Sequence, residues 1–226
     1  MKADVERHVI ATREGRPLPS AGWYMEAKAA EERGHRLRAQ AQLAQAADAY
    51  NEALSAWVSP QEPDREAVCR LRLGDVLRMM GRLEEAEVQY EKARGIHQAR
   101  GNALGIADAI ECQGDLTRAA GRWDRALELY GAAARIYQDL PDGLVGVTNT
   151  SHSMGEVSLV MSGCAVADDH YREALRTATD AQSREMLGSD WRRSHCVRGI
   201  RSRRGCGVIE PNRSTGRAMT RSASPT

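Results

Sequence analysis

The sequence predicts an all-α fold, a right-handed solenoid of about four helical hairpins, and three observations carry that reading. The first is composition. Of 226 residues 42% are hydrophobic, yet aromatics make up only 4% and Phe is absent, so the apolar content is mainly Ala and Leu, which favours closely packed helices over sheets. The second is internal repetition. Gly34, Gly74, Gly114 and Gly155 recur at intervals of 40, 40 and 41 residues. Twelve residues after each lies Ala46, Ala86, Ala126 or Ala167, sixteen after each lies Tyr50, Tyr90, Tyr130 or Tyr171, and Ala53, Ala93, Ala133 and Ala174 follow three later. The third is helical period. Leu83, Ala86, Val88, Tyr90, Ala93, Ile96 and Ala99 alternate with Glu84, Glu85, Glu87, Gln89, Glu91, Lys92 and Arg94, an apolar stripe on an otherwise polar helix.

Taken in chain order, residues 1–20 read as a loosely ordered leader with a short helical segment from Asp4 to Glu14, ended by the two prolines of GRPLPS. Four repeats follow over residues 21–187, at about 21–60, 61–101, 102–141 and 142–187. Gly81 and Gly121 stand where the first helix of a hairpin must stop and can adopt the left-handed conformation that ends it. Ala41 and Ser162 hold that place in repeats one and four, which predicts weaker turns there. Asp64 after Pro63, and Asn102 after Gly101, are the expected N-caps of the first helices in repeats two and three. The small residues at the Gly74 and Ala86 positions let two helices of one hairpin approach, and the tyrosine is expected to fill the space toward the next hairpin.

From 188 to 226 the helical period stops and Arg, Ser and Gly take over, so a basic disordered tail is expected. Residues 190–226 hold nine Arg against Asp190 and Glu210; of 32 basic and 31 acidic residues in all, 23 and 29 remain elsewhere, leaving a body near −6 and a tail near +7. So abrupt a change points to a reading frame or gene boundary other than the one the body evolved with. No run approaches the roughly eighteen apolar residues of a bilayer span, and the first residues lack the apolar core of a secretory signal. A cytoplasmic protein without a membrane partner is therefore expected. Cys69, Cys112, Cys164, Cys196 and Cys206 are odd in number and contain no CxxC pair, which predicts free thiols.

The middle repeats are the clearest. LRLGDVLRMMGRLEEAEVQYEKA from Leu71 and ECQGDLTRAAGRWDRALELYGAA from Glu111 share a GD, a GR seven residues later and an A-x3-Y step. On these residues the chain resembles the tetratricopeptide-repeat (TPR) family, whose helix-turn-helix unit carries W-x2-L-G-x2-Y, then A-x3-F, then P. Leu73-Gly74 fits the LG pair, and Ala86, Tyr90 and Ala93 fit the second helix. The leading Trp is replaced by Ala30, Arg70, Ile110 and Ser151, and the closing Pro is missing. Each second helix instead runs on toward Pro60, Gly101 or Pro141, which resembles the longer repeat variant of bacterial regulatory and signalling proteins. The resemblance spans about residues 21 to 187.

It implies that the first helices line a concave groove and that ligand contacts flank the LG pair. Carried over by position, the candidates are Glu31, His35 and Arg38 in repeat one, and Leu71, Arg72, Asp75, Arg78 and Met79 in repeat two. Repeats three and four supply Asp108, Glu111, Asp115 and Arg118, then His152, Glu156 and Leu159. The competing reading makes this stripe a solvated face held by local pairs such as Asp75 with Arg78 and Asp115 with Arg118. Some family members clamp a peptide's terminal carboxylate with Lys and Asn. Here the residue after each Gly is His35, Asp75, Asp115 or Glu156 rather than Asn, so the resemblance implies a basic or mixed polar partner with apolar contact to Leu71, Met79 and Leu159.

Signals of catalysis are poor. His8, His35, His97, His152, His170 and His195 are scattered, with no HExxH, and no GxGxxG, GxxxxGK[ST] or GxSxG occurs. Acidic pairs such as Glu84-Glu85 and Asp168-Asp169 point to different sides of a helix. The expectation is a protein that is not an enzyme, with no catalytic, cofactor-binding or metal-binding residues. The expected function is a scaffold or adaptor that binds a protein or peptide. One alternative is a regulatory or sensor fragment of a larger signalling ATPase or transcription regulator. A second, lesser one is polyanion or nucleic-acid binding through Arg-rich residues 192–221.

Overall fold

A computed structural model describes residues 22–57, 62–161, 164–178 and 187. The expected leader helix, the turn at Ser162 and the tail from 188 onward lie outside the described residues. Among the described residues there are eight helices and no strand: α1 (Trp23–Ala39), α2 (Leu43–Trp57), α3 (Pro63–Met79), α4 (Leu83–Arg100), α5 (Ala103–Ala119), α6 (Trp123–Gln138), α7 (Leu144–Met161) and α8 (Cys164–Thr177). They pair as four hairpins, α1 with α2, α3 with α4, α5 with α6 and α7 with α8. Each second helix then packs on the first helix of the following hairpin, and α5 also touches both α3 and α7. Contacts therefore run almost wholly between chain neighbours, as the all-α hairpin solenoid requires. No helix among the described residues is long and apolar enough to cross a membrane.

The turns explain why the hairpins close where they do. Gly81 (φ 76°) and Gly121 (φ 73°) take the left-handed conformation, and Ala41 takes it too (φ 57°). Behind each, the next amide reaches back across the helix end: Gln42 N–H donates to the Leu37 carbonyl, Arg82 to Leu77 and Arg122 to Thr117, each at 2.9 Å. Repeat one thus makes the same turn as repeats two and three, at the steric cost of a Cβ in the left-handed region. Asn102 caps α5 as expected, its side chain accepting a hydrogen bond from Gly105 N–H at 3.0 Å. Asp64 does not cap α3. Pro63 is already the first helical residue and Glu62 holds the cap position without a side-chain bond, so Asp64 falls in the first turn, where its charge suits the helix N-terminus.

The tyrosines do more than the sequence reading expects. Each ring lies on the glycine of its own hairpin, and Tyr130 also packs in one buried cluster with Val157 of the next hairpin. A Cβ added at Gly34, Gly74, Gly114 or Gly155 would come within 2.9, 2.5, 2.7 or 2.8 Å of the Tyr50, Tyr90, Tyr130 or Tyr171 ring respectively. A bare Cα is the lowest point on a helix surface, so the ring of the returning helix settles there and brings the two axes together. Tyr50, Tyr90 and Tyr130 are fully buried, as are Ala46, Ala86 and Ala126 one turn before them.

The space between hairpins also receives rings that lie seven residues further along the first three second helices: Trp57, His97 and Tyr137. Trp57 is buried among Trp23 and Tyr24, both edge-on to it, and the Arg65 guanidinium lies 5.9 Å from its ring. His97 rests on Gly105 of α5, and Tyr137 rests on Gly146 of α7, so closely that neither glycine has room for a Cβ.

Candidate docking groove

The row of first helices, α1, α3, α5 and α7, carries the candidate groove. Its chemistry starts at the residue after each landmark glycine, because the hairpin tyrosine lying on that glycine extends its hydroxyl to the next side chain. Tyr90 donates to Asp75 at 3.0 Å, Tyr130 donates to Asp115 at 2.6 Å, and the Tyr50 hydroxyl lies 2.9 Å from His35 Nδ1. Asp75, whose side chain is only 14% exposed, has its carboxyl pushed above the usual range by burial, against the opposing pull of the Tyr90 hydroxyl and of Arg78, Arg72 and Arg38.

Four residues past each glycine stands an arginine that reaches forward to the next repeat. Arg38 lies 3.6 Å from Asp75, Arg78 3.5 Å from Asp115, and Arg118 3.4 Å from Glu156. Leu159 occupies that place in repeat four and ends the ladder. Local pairs join it, Arg72 to Asp75 at 3.8 Å and Arg118 to Asp115 at 3.6 Å. The expected pair of Asp75 with Arg78 is not formed; Arg78 turns forward to Asp115 because the first helices touch and the neighbouring carboxylate is within reach. The stripe is therefore a cross-linked wall more than a solvated face of local pairs.

The candidates divide by accessibility. Glu31 and Leu71 are both 7% exposed and cannot serve as ligand contacts: Leu71 belongs to the core formed with Leu73, Leu77 and Ala67, and Glu31 lies beneath His35, 3.7 Å from its ring. Asp75, Asp115 and Arg78 are partly covered and committed to the ladder. Met79 is 51% exposed, and Arg72, His35 and Glu156 keep 44%, 41% and 43% of their side chains open, so these four face outward with Arg38 and Arg118 beside them. Asp108, Glu111, His152 and Leu159 are half-buried. Asp108 and Glu111 converge on Tyr137, whose hydroxyl oxygen is 2.6 Å from one and 2.8 Å from the other. Burial, joined by the carboxylates of Asp115, Asp108 and Asp75 and opposed by the Tyr137 hydrogen bond, pushes Glu111 up to about 7.

Sequence reasoning missed the roles of Trp57, His97 and Tyr137. The spacing signal was present, one ring seven residues after each of three landmark tyrosines, but the residue type changes each time. Cys69 and Cys112 are free, and burial pushes the first thiol up to about 12 and the second well above its usual value, so both are poor nucleophiles. Among the described residues no group of three or more His, Cys, Asp or Glu is arranged to hold a metal ion. No model of a known protein family matches the chain, and no curated protein matches it.

Proposed function

We propose that this protein is a scaffold that binds a protein or peptide along its row of first helices, the use that the resemblance to TPR proteins implies. The observation that carries the reading is the forward ladder. Arg38 to Asp75, Arg78 to Asp115 and Arg118 to Glu156 tie four helices into one continuous wall. A wall fixed in advance loses little freedom on binding, which favours affinity from a modest contact area. Its open members, Arg72, Met79, His35 and Glu156, offer both charges and one apolar contact, so the fitting partner is a mixed polar segment with an apolar side chain. The second helices present a different face, rich in carboxylates such as Glu84, Glu85, Glu87 and Glu91 on α4.

The test uses open positions, because reversing Asp75 or Asp115 would strand tyrosine hydroxyls and arginines and so test stability. Arg72→Glu combined with Met79→Ser should abolish capture of the partner from a lysate of the native cell, with circular dichroism unchanged. Glu84→Lys with Glu87→Lys on the outer face should leave capture intact. Capture that survives the first pair and fails with the second moves the docking surface to the second helices.

A further inference from the structure

The contact of α5 with the end of α6 holds a hydrogen-bond count that closes only with an added proton. Tyr137 Oη lies 2.6 Å from Asp108 Oδ1 and 2.8 Å from Glu111 Oε2. A phenol has one hydrogen and donates once. With both carboxylates ionised, one of these approaches sets two acceptors against each other in a site where Tyr137 is 2% exposed. A single further proton resolves it: a protonated Glu111 donates to Tyr137, which donates to Asp108.

We propose that Glu111, Tyr137 and Asp108 form a pH-sensitive latch, whose extra proton holds the end of α6 on α5 and whose loss loosens the seam supporting the fourth hairpin. The mechanical link is Gly146. Tyr137 is clamped between the two carboxylates and the bare Cα of Gly146 on α7, so it cannot leave the carboxylates without disturbing α7.

The surroundings leave the latch without a cation. Asp75 of α3 is matched by Arg38 and Arg72, Asp115 of α5 by Arg78 and Arg118, and Glu156 of α7 by Arg118. Asp108 and Glu111 have no Lys or Arg within salt-bridge distance among the described residues. The other titratable groups acting here are His97 of α4, which acts on Asp108, and Cys112 of α5. Burial, joined by the carboxylates of Asp115, Asp108 and Asp75 and opposed by the Tyr137 hydrogen bond, lifts Glu111 from 4.5 to about 7, which makes it the member that keeps the proton. A carboxyl raised by folding stabilises fully below about 4.5, loses that contribution as pH rises to about 7, and changes nothing above it.

The experiment is amide hydrogen exchange on the full chain from pH 5 to pH 8, corrected for the intrinsic rate and read over the end of α6 and the start of α7. Local opening in the unaltered protein should rise on the order of 10²-fold, levelling off above about pH 7. Glu111→Gln, whose amide donates to Tyr137 as the neutral acid does, should hold the seam closed and remove that rise. Burial lowers His97 and His170, so they act in the opposite sense, and the difference between the unaltered protein and the variant isolates the latch. A flat profile in the unaltered protein, or the same rise in Glu111→Gln, overturns it. Should the variant not fold, the carbon-13 shift of the Glu111 carboxyl decides: titration near 7 supports the latch, and titration below about 5 overturns it. None of these outcomes depends on the docking reading.

Discussion

The interior of each hairpin and the seam between hairpins are built by opposite rules. Inside, one solution recurs four times: a tyrosine lies on a glycine sixteen residues earlier, and for Tyr90 and Tyr130 the hydroxyl reaches the carboxylate beside that glycine. At the seams the same place is filled by Trp57, His97 and Tyr137 in turn, each with its own neighbours. A repeat must close identically each time or the stack loses register, whereas two neighbouring repeats need only fill the gap between them. Constancy therefore marks what defines the unit, and variation marks where individual chemistry can enter, including the one seam with a proton to spare.

The largest effect expected from this contrast lies inside a hairpin. Tyr90→Ala should cost about 3 to 5 kcal/mol, because it removes a fully buried ring from a site that the bare Gly74 backbone cannot collapse to fill, and it also removes a hydrogen bond from the Asp75 carboxylate. Chemical denaturation of the full chain checks it. A loss below about 1 kcal/mol would mean that the hairpin closes without its tyrosine, and the distinction between interior and seam would fail.

A pair of glycine substitutions sharpens the same point with opposite signs. At Gly74 an added Cβ would sit 2.5 Å from the Tyr90 ring, so Gly74→Ala forces the helices apart and should destabilise by about 1 to 3 kcal/mol. Gly95, in the middle of α4, has nothing within 4 Å of its added Cβ. Gly95→Ala should therefore stabilise by about 0.5 to 1 kcal/mol, the helix-propensity difference alone. Thermal melts of the two variants side by side give the measurement; equal effects would mean that the glycine contact with the ring contributes nothing particular.

What the sequence made legible follows the same division. The register of Gly, Ala and Tyr was readable because it repeats, and with it the helix count and the turn at Gly81. The seat of the Tyr90 ring on Gly74 was not, since spacing places a residue on a helix without saying which neighbours its ring meets. Ala41 shows the limit of turn chemistry: it adopts the glycine conformation and keeps the same backbone bond, so the weaker turn expected there lies in the steric cost of its Cβ and not in a different geometry. In the groove, position alone put Arg38, Arg72 and Met79 on the first helices, but it also put Leu71 there, which packing draws into the core. The bond of Arg78 to Asp115 joins residues 37 apart, a distance at which helical periodicity carries no information.

The smallest effect should come from a seam. His97 is 2% exposed, and neither ring nitrogen has a hydrogen-bond partner among the described residues. Its place on Gly105 is thus held by shape rather than by polarity, and Leu, similar in bulk and without polar atoms to desolvate, fits the same requirement. His97→Leu should change stability at pH 7 by less than about 1 kcal/mol, since removing unsatisfied buried polar atoms offsets the imperfect fit. Its pH dependence should change more. Burial lowers the imidazole, with Asp64 and Asp108 opposing, so its contribution is present above the ordinary value of 6.5 and is lost as pH falls below it. The variant should therefore lose less stability than the unaltered protein between pH 7 and pH 5, the remainder being set by His170 and, in the opposite sense, by Glu111. A loss of several kcal/mol in His97→Leu at pH 7 would instead make the seam as demanding of shape as the hairpin interior, and its variability along the chain would then need another cause.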